Sequence, residues 1–238
     1  MNMSDNNPPA KLKVAMLVYP RLTLLDLAGP QSLWAMQAET YLVWQDLNPV
    51  ITDTDLVLQP THTFETCPSD IDILCVPGGF GAWDVLGNQK AMEFLARAAA
   101  DARYVTGICF GTIIMAAAGI LDGYKAATHW ATYPMLEMLG VEGVRERVVI
   151  DRNRITGGGV TAGIDFGLSV LSELRGETVA KATQLLIEYD PKPPFDVGSP
   201  DRAGEELTQI AASLVQADFE NNAMPAVQAA AERRKPLS

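Results

Sequence analysis

Residues 104–118 of the chain read Tyr104-Val-Thr-Gly-Ile-Cys109-Phe-Gly-Thr-Ile-Ile-Met-Ala-Ala-Ala118, and this segment is the most informative about the architecture. It begins with a short apolar run that predicts a buried strand, and it ends in an alanine-rich run that predicts a helix. The Gly-x-Cys-x-Gly between them predicts a sharp turn, because glycine adopts backbone conformations that other residues avoid and lets neighbouring groups approach closely. The sequence therefore places Cys109 in a nucleophile elbow, at the junction of a strand and the N-terminus of a helix.

The position of Cys109 favours a reactive thiol. Backbone N–H groups and the macrodipole favour negative charge at a helix N-terminus, and this setting lowers a thiol pKa from about 8.5 into the range of roughly 3.5–7.5. The alternative is a small buried hydrophobic residue, which is the usual role of a free cysteine. That alternative fits Cys75, inside an apolar strand, whereas Cys67 lies in a polar loop and is interpreted as incidental. We expect Cys109 to be the reactive thiol.

Apolar strands alternate with helical patterns along the chain. We predict strands at residues 12–19, 41–44, 71–76, 104–108 and 126–128, an antiparallel excursion at 50–59 and 62–66, and a hairpin at 148–151 and 154–156. Helices are predicted at residues 24–37, 89–101, 112–118, 132–139, 161–174, 177–189 and 201–234. We interpret residues 1–10 as a disordered tail and residues 11–238 as a single domain, which includes an extended proline-rich segment at 191–200 and the C-terminal helix. The alternation predicts an α/β sandwich with a mostly parallel sheet.

Three of the predicted strands end in segments suited to a ligand site. These ends are Tyr19-Pro20, Pro77-Gly78-Gly79 and Gly107-Ile108-Cys109. Ligands of open α/β sheets bind outside the carboxyl ends of the strands. We therefore expect the three segments to converge on one pocket.

The composition excludes several classes of function. A formal net charge of −11 argues against nucleic acid or an anionic membrane surface as the main partner. Three cysteines without a Cys-x-x-Cys pair argue against a disulfide framework or a structural zinc site, and no His, Asp or Glu grouping has metal-ligand spacing. No apolar run approaches the ~18 residues of a membrane span, and the polar start lacks the pattern of a signal peptide. We expect a cytoplasmic protein.

Two further residues are candidates for chemistry. Asp26 interrupts an otherwise apolar stretch at residues 22–30. It could be a helix N-cap or a first-turn acid that complements the helix dipole, or it could be a desolvated carboxylate whose raised pKa suits acid–base catalysis. His129 could pair with Cys109 as in a cysteine protease. A structural histidine beside Trp130 is the favoured interpretation, because nothing in the spacing places its ring near Cys109.

Several motifs along the chain accompany these candidates: Leu25-Asp26-Leu-Ala-Gly-Pro30, Val76-Pro-Gly-Gly79, Ala117-Ala-Gly-Ile-Leu-Asp-Gly123, Ala127-Thr-His-Trp130, Glu146-Arg-Val-Val149, Thr156-Gly-Gly-Gly-Val-Thr-Ala-Gly-Ile-Asp-Phe166 and Pro193-Pro-Phe-Asp-Val-Gly-Ser-Pro200. Together they resemble the DJ-1/PfpI superfamily over residues 11–204, and within it the isocyanide (isonitrile) hydratases. The resemblance implies a flavodoxin-like, three-layer α/β sandwich, similar to the class I glutamine amidotransferases, with a mostly parallel sheet.

The resemblance also implies a cofactor-free hydratase that converts an isocyanide into an N-substituted formamide. The Cys109 thiolate would attack the isocyanide carbon, and Asp26 would protonate the adduct and then help to activate water. Backbone N–H groups at Gly79 and Phe110 would hold the thiolate or developing charge, and Val160 would pack beside the sulfur and respond to its charge.

Other implied features concern the surroundings of this site. Gly78 and His129 would lie near it, and neither a metal nor an organic cofactor is implied. The family is homodimeric, and the proline-rich segment at residues 191–200 would help to form the interface.

Phe110 departs from the family pattern. Many superfamily members carry histidine directly after the cysteine, so Phe110 argues against a Cys–His dyad of the peptidase or amidotransferase type. The hydratases carry threonine there, so Phe110 removes a hydrogen bond and adds bulk.

Two alternative functions use the same thiol. One is a DJ-1-like sensor of redox state or of a ligand, in which Cys109 is oxidised to a sulfinate, and the other is a hydrolase of the glyoxalase or deglycase type. AraC-type regulators share the fold and the His-Trp segment, but the sequence ends after one long predicted helix, so neither a DNA-binding domain nor a nucleic-acid partner is expected.

Overall fold

A computed structural model describes residues 10–234, so that residues 1–9 of the predicted tail lie outside the described part. In chain order the strands are β1 (Leu12–Leu17), β2 (Ala38–Trp44), β3 (Val50–Ile51), β4 (Val57–Leu58), β5 (His62–Thr63), β6 (Ile73–Val76), β7 (Tyr104–Ile108), β8 (Lys125–Ala126), β9 (Glu142–Gly143), β10 (Val148–Asp151) and β11 (Arg154–Gly157). Seven of them form the central sheet, in the order β10-β11-β7-β6-β1-β2-β5. All neighbours in this sheet pair in parallel except β10 and β11, which form the predicted hairpin.

The helices cover the sheet and extend to the C-terminal end of the described chain. They are α1 (Leu24–Trp34), α2 (Ala82–Gly87), α3 (Gln89–Asp101), α4 (Gly111–Ala117), α5 (Tyr133–Met138), α6 (Ala162–Arg175), α7 (Glu177–Leu186), α8 (Pro200–Ser213), α9 (Gln216–Asp218) and α10 (Met224–Arg233). A 3₁₀ turn at Trp130–Thr132 precedes α5, and a π-helical turn at Phe219–Ala223 joins α9 to α10. Within residues 10–234, no helix has both the length and the apolar composition needed to cross a bilayer.

The central strands are apolar because both faces of the sheet are covered. All four residues of β6 are buried, as is nearly all of β1. On one side, α1 packs against α6, and the Trp34 indole N–H donates to the Gly167 carbonyl at 2.9 Å. Elsewhere α10 packs against α2, α4 and α5 and buries Val227 and Ala230. The predicted fold class, an α/β sandwich with a mostly parallel sheet, is confirmed.

The strand register brings the expected strand ends to one edge of the sheet. Val76 at the end of β6 pairs with Gly107 in β7, and Ile108 at the end of β7 pairs with Gly157 at the end of β11. The residues that follow these strands therefore lie side by side, because parallel strands place their carboxyl ends at the same edge.

Most predicted elements are present within two or three residues of their predicted ends, and α3 and β7 have the predicted bounds. Two predictions are wrong. Residues 62–66 are not part of an antiparallel excursion, because His62 and Thr63 pair in parallel with the end of β2. Residues 201–234 do not form one helix: Gly204 is non-helical at φ 77°, and the chain then passes through a short helix and the π-helical turn. The single-domain organisation remains a prediction.

Candidate active site

Cys109 occupies a tight turn between β7 and α4. Its backbone has φ +56°, a left-handed conformation that is strained for a residue with a side chain. Hydrogen bonds hold the turn in place: the Cys109 N–H donates to the carbonyls of Gly157 (3.2 Å) and Gly158 (2.9 Å), and the Thr128 hydroxyl donates to the Cys109 carbonyl at 2.9 Å. The end of β11 therefore holds the cysteine backbone in this conformation.

Gly78 is the point at which three groups meet. A Cβ placed on Gly78 would lie 2.6 Å from the Phe110 nitrogen, 2.8 Å from Asp26 Oδ2 and 3.0 Å from Cys109 Cβ. Any side chain at this position would displace at least one of them, because such contacts are shorter than a carbon atom allows. The structure thus brings Asp26, Cys109 and the Phe110 N–H together, and the absence of a side chain at Gly78 makes this possible.

The Gly79 backbone holds the start of α1 against this point. Gly79 has φ +123°, and a Cβ there would lie 2.4 Å from the Thr23 nitrogen. The Thr23 N–H donates to the Gly78 carbonyl at 2.9 Å. Among the residues that the structure describes, none accepts a hydrogen bond from the Gly79 N–H.

Asp26 is fully buried and lies in the first turn of α1, as one of the sequence interpretations expects, but it is not the N-cap, which is Thr23. Its Oδ2 accepts from the Gly78 N–H at 2.8 Å, whereas its Oδ1 has no hydrogen-bond partner within residues 10–234. The α1 N-terminus is served instead by Asp53 Oδ1, which accepts from the Leu24 N–H at 3.2 Å. Burial raises the pKa of Asp26 well above its usual range, although the Gly78 hydrogen bond opposes the shift.

The expected depression of the thiol pKa is not found. Burial raises the pKa of the Cys109 thiol well above its usual range, and the negative charge of Asp26 raises it further. The Phe110 N–H acts in the expected direction and lowers this pKa, but its effect is smaller. Burial outweighs the stabilisation of a thiolate by the helix N-terminus, because Cys109 is only 3% exposed. When Asp26 is protonated, its charge no longer opposes the thiolate.

The Phe110 side chain is part of an aromatic cluster. Its ring centroid lies 5.0 Å from that of Trp83, 5.4 Å from His129, 5.6 Å from Phe219 and 5.8 Å from Phe80. We call these five side chains the aromatic cluster. They join the residue after the cysteine to α2, to the 3₁₀ turn and to the C-terminal segment.

His129 lies near the cysteine turn through this cluster, yet its ring nitrogen is engaged elsewhere. Its Nδ1 accepts from the Ala131 N–H at 3.3 Å. Burial lowers the pKa of His129 to about 4, so the ring is neutral near pH 7. These contacts agree with the structural interpretation of this histidine.

Val160 lies in the turn between β11 and α6. It is half-buried and packs against the core. The carbonyl that precedes this turn, that of Gly158, is an acceptor for the Cys109 N–H. Val160 therefore lies near the cysteine turn. That its side chain responds to the charge of the Cys109 sulfur remains a prediction.

Sequence reasoning missed three residues of this site. The Tyr19 hydroxyl is fully buried and donates to the Pro77 carbonyl at 2.8 Å, which ties the end of β1 to the glycine loop. Trp83 and Phe219 complete the aromatic cluster. In the sequence only Tyr19 was marked, by its position at the end of a predicted strand. The contacts of Trp83 and Phe219 leave no such signal, because they depend on the packing of distant segments.

Within residues 10–234, no group of three or more His, Cys, Asp or Glu side chains could hold a metal ion.

The chain is similar to known proteins over most of its length. The DJ-1/PfpI family profile matches residues 12–173, more than half of the chain. The chain belongs to the DJ-1/PfpI family. An isonitrile hydratase of Pseudomonas putida is 47% identical over 194 residues, which cover 81% of this chain and 85% of that protein.

Solved structures of the DJ-1/PfpI family support the assignment. A ThiJ/PfpI family protein from Pseudomonas syringae has a TM-score of 0.87 and 40% identity, and the match covers 97% of both chains. Schizosaccharomyces pombe DJ-1 has a TM-score of 0.66 over 76% of this chain and 100% of its own, and at 19% identity it shows the fold alone. Because the DJ-1/PfpI profile ends at residue 173, Phe219 reaches the cysteine turn from a segment beyond the family core.

The contacts of Phe110 predict a large contribution to stability. Phe110→Ala removes a ring that is 5% exposed and contacts four other rings, so we expect a loss of about 3 kcal/mol or more in the free energy of unfolding. Leu185→Ala, which removes an apolar side chain that is 81% exposed on α7, is the control and should change it little. Urea denaturation measures both, and equal losses in the two variants would contradict this role of Phe110.

Proposed function

We propose that this protein hydrates isocyanides to N-substituted formamides. The proposal rests on three groups that meet beside Gly78: the buried Asp26 carboxyl group, Cys109 and the backbone N–H of Phe110. The 47% identity to an isonitrile hydratase over most of both chains supports the same reaction. Cys109 is the nucleophile at the turn, and Asp26 is the general acid and base.

The first half of the reaction joins the substrate to the protein. The Cys109 thiolate attacks the electrophilic isocyanide carbon and forms a carbon–sulfur bond. Asp26 gives its proton to that carbon, so the product is an S-bound thioformimidate and an Asp26 carboxylate. The raised pKa of Asp26 suits this step, because a carboxyl group must be protonated to act as an acid near neutral pH.

The second half releases the formamide. The Asp26 carboxylate accepts a proton from water as the hydroxyl adds to the thioformimidate carbon. The carbon–sulfur bond then breaks, the hydroxyl proton passes to the substrate nitrogen, and the formamide leaves. The Cys109 thiolate and the protonated Asp26 are both restored, so one water is consumed in each cycle and no electrons are exchanged.

Two backbone N–H groups are positioned to stabilise charge in these steps. The Phe110 N–H already lowers the pKa of the Cys109 thiol. The Gly79 N–H, which no described residue accepts, is available to a charged or polar atom of the substrate. Val160 packs beside the sulfur in this proposal, and the Phe110 side chain takes no part in proton transfer.

Hydratase activity predicts specific losses in two variants. We expect purified wild-type protein to convert cyclohexyl isocyanide to N-cyclohexylformamide. Gas chromatography measures the formamide that is formed. Cys109→Ala should have no measurable turnover, and Asp26→Asn should lose about 10²-fold or more in kcat because proton transfer is removed. Cys67→Ala, at a half-buried loop thiol, is the control and should retain full activity.

The same assay separates the alternatives. Full activity in Cys109→Ala would contradict the nucleophile assignment. Absence of turnover with several alkyl and aryl isocyanides, together with hydrolysis of methylglyoxal adducts, would favour the deglycase-type reaction. Rapid oxidation of Cys109 by peroxide without any turnover would favour the sensor, although the burial of this thiol opposes oxidation.

We also propose that the protein is a homodimer. In the single chain, α8 has no buried residue, and apolar side chains on it and on the proline-rich segment are exposed: Phe195, Leu207, Ile210 and Leu214. Leu207, Ile210 and Leu214 recur at helical spacing, and exposed apolar side chains on one helix face are typical of a surface that packs against a partner. A second copy of the chain fits it, because a C₂ interface pairs the same surface of two subunits.

The dimer is tested by the mass in solution. Sedimentation equilibrium should give twice the chain mass of 25.7 kDa for the wild type. Ile210→Asp should shift the protein towards the monomer, since it places two like charges at the interface, whereas Gln209→Asp on the exposed polar side of α8 should not. A monomeric wild type would contradict the proposal.

A further inference from the structure

An apolar cavity of about 390 Å³, open to solvent on one side, lies between the 3₁₀ turn with α5 and the C-terminal segment. We call it the C-terminal cavity. None of the predicted site residues lines it. Its walls include Trp130 and Met135 on one side and Ala212, Val215, Phe219 and Met224 on the other.

The polar groups at this cavity determine what it can bind. Gln216 and Glu220 also line it, and the Gln216 side-chain amide donates to the Glu220 carboxylate at 2.7 Å. These two side chains form a hydrogen bond with each other at the exposed rim, so a ligand need not supply a polar partner for them. The carboxylate disfavours an anion. The cavity therefore suits a neutral apolar group, and its volume lies in the range of roughly 300–1,000 Å³ that is usual for small-molecule sites.

The cavity is connected to the cysteine turn through shared aromatic walls. Phe219 lines the cavity and contacts the Phe110 ring, with 5.6 Å between centroids. Trp130 also lines the cavity and contacts His129 of the aromatic cluster at 5.3 Å. Since Phe110 directly follows Cys109, the contact between Phe219 and Phe110 links the wall of the cavity to the cysteine turn.

The wall that carries Phe219 has an irregular backbone. Phe219 begins the π-helical turn Phe219–Ala223, and π-helical turns occur frequently at functional sites. Two hydrogen bonds hold its start: the Trp83 indole N–H donates to Asp218 Oδ2 at 2.7 Å, and the Phe219 N–H donates to the Val215 carbonyl at 3.0 Å. The Phe219 side chain is half-buried and lines the cavity.

We propose that the C-terminal cavity binds the hydrocarbon substituent of the isocyanide. This inference rests on the proposed hydratase function and names the part of the substrate that the rest of the site leaves unassigned. The Phe219 ring turns to admit the isocyanide group past Phe110 towards Cys109, while the alkyl or aryl group stays between Trp130 and Val215. The protein therefore favours isocyanides with a large apolar substituent over small ones.

A cavity-filling variant tests this assignment. Ala212→Trp places a bulky side chain in the cavity, and Ala217→Trp places the same side chain on the same segment at an exposed position outside it. We expect Ala212→Trp to raise KM for cyclohexyl isocyanide about tenfold or more, because the ring can no longer leave water. KM for methyl isocyanide should change less than about twofold in both variants, because its substituent is too small to need the cavity.

A binding measurement separates failure of this inference from failure of the proposed function. Calorimetry measures the binding of cyclohexyl isocyanide to Cys109→Ala and to the double variant Cys109→Ala/Ala212→Trp. Neither variant is expected to turn the ligand over, so binding is measured without catalysis. Binding that is lost only in the double variant supports the cavity, even if the wild type has no hydratase activity. An unchanged KM and unchanged binding in the Ala212→Trp variants would overturn it while hydration stands. A change of oligomeric state in Ala212→Trp would identify the C-terminal cavity as part of an interface between copies of the chain and would also overturn the proposal.

Discussion

The candidate site depends on one steric constraint, the missing side chain at Gly78. Its vacant position lies within 3.0 Å of an Asp26 carboxylate oxygen, the Phe110 nitrogen and Cys109 Cβ. The β6 strand delivers Gly78, β7 delivers Cys109, and α1 carries Asp26, so the parallel register of the sheet is needed to bring them together. The strained backbone of Cys109 and the loop at Gly79 follow from this contact, since both bring main chain close to it.

Burial makes the two reactive groups interdependent. Asp26 and Cys109 are both removed from water, and each has its pKa raised by that burial. An anion on one opposes an anion on the other, so the pair favours a state that holds one proton between the two groups. In the proposed reaction this single proton moves to substrate and returns from water. The aromatic cluster around Phe110 maintains the dry surroundings on which this coupling depends.

The sequence predicted the sheet, the turn at Cys109 and the convergence of strand ends, because these follow from local apolar runs and glycine spacing. It also marked Asp26 as a carboxylate in an apolar stretch. It did not predict the direction of the Cys109 pKa shift, since the helix N-terminus is visible in sequence but the depth of burial is not. It missed the breaks near Gly204 and Phe219 and the contact of Phe219 with Phe110, because these depend on packing between distant segments.

The pH dependence of Cys109 alkylation tests the coupling of the two groups most directly. Iodoacetamide labelling of wild type and Asp26→Asn, read by peptide mass spectrometry, gives the pH midpoint for Cys109, with buried Cys75, whose pKa is raised to about 12, as an internal control. Because Asn removes the negative charge that opposes the thiolate, we expect a lower midpoint for Cys109 in Asp26→Asn. An unchanged or higher midpoint, in a variant whose Cys75 labelling matches that of the wild type, would contradict it.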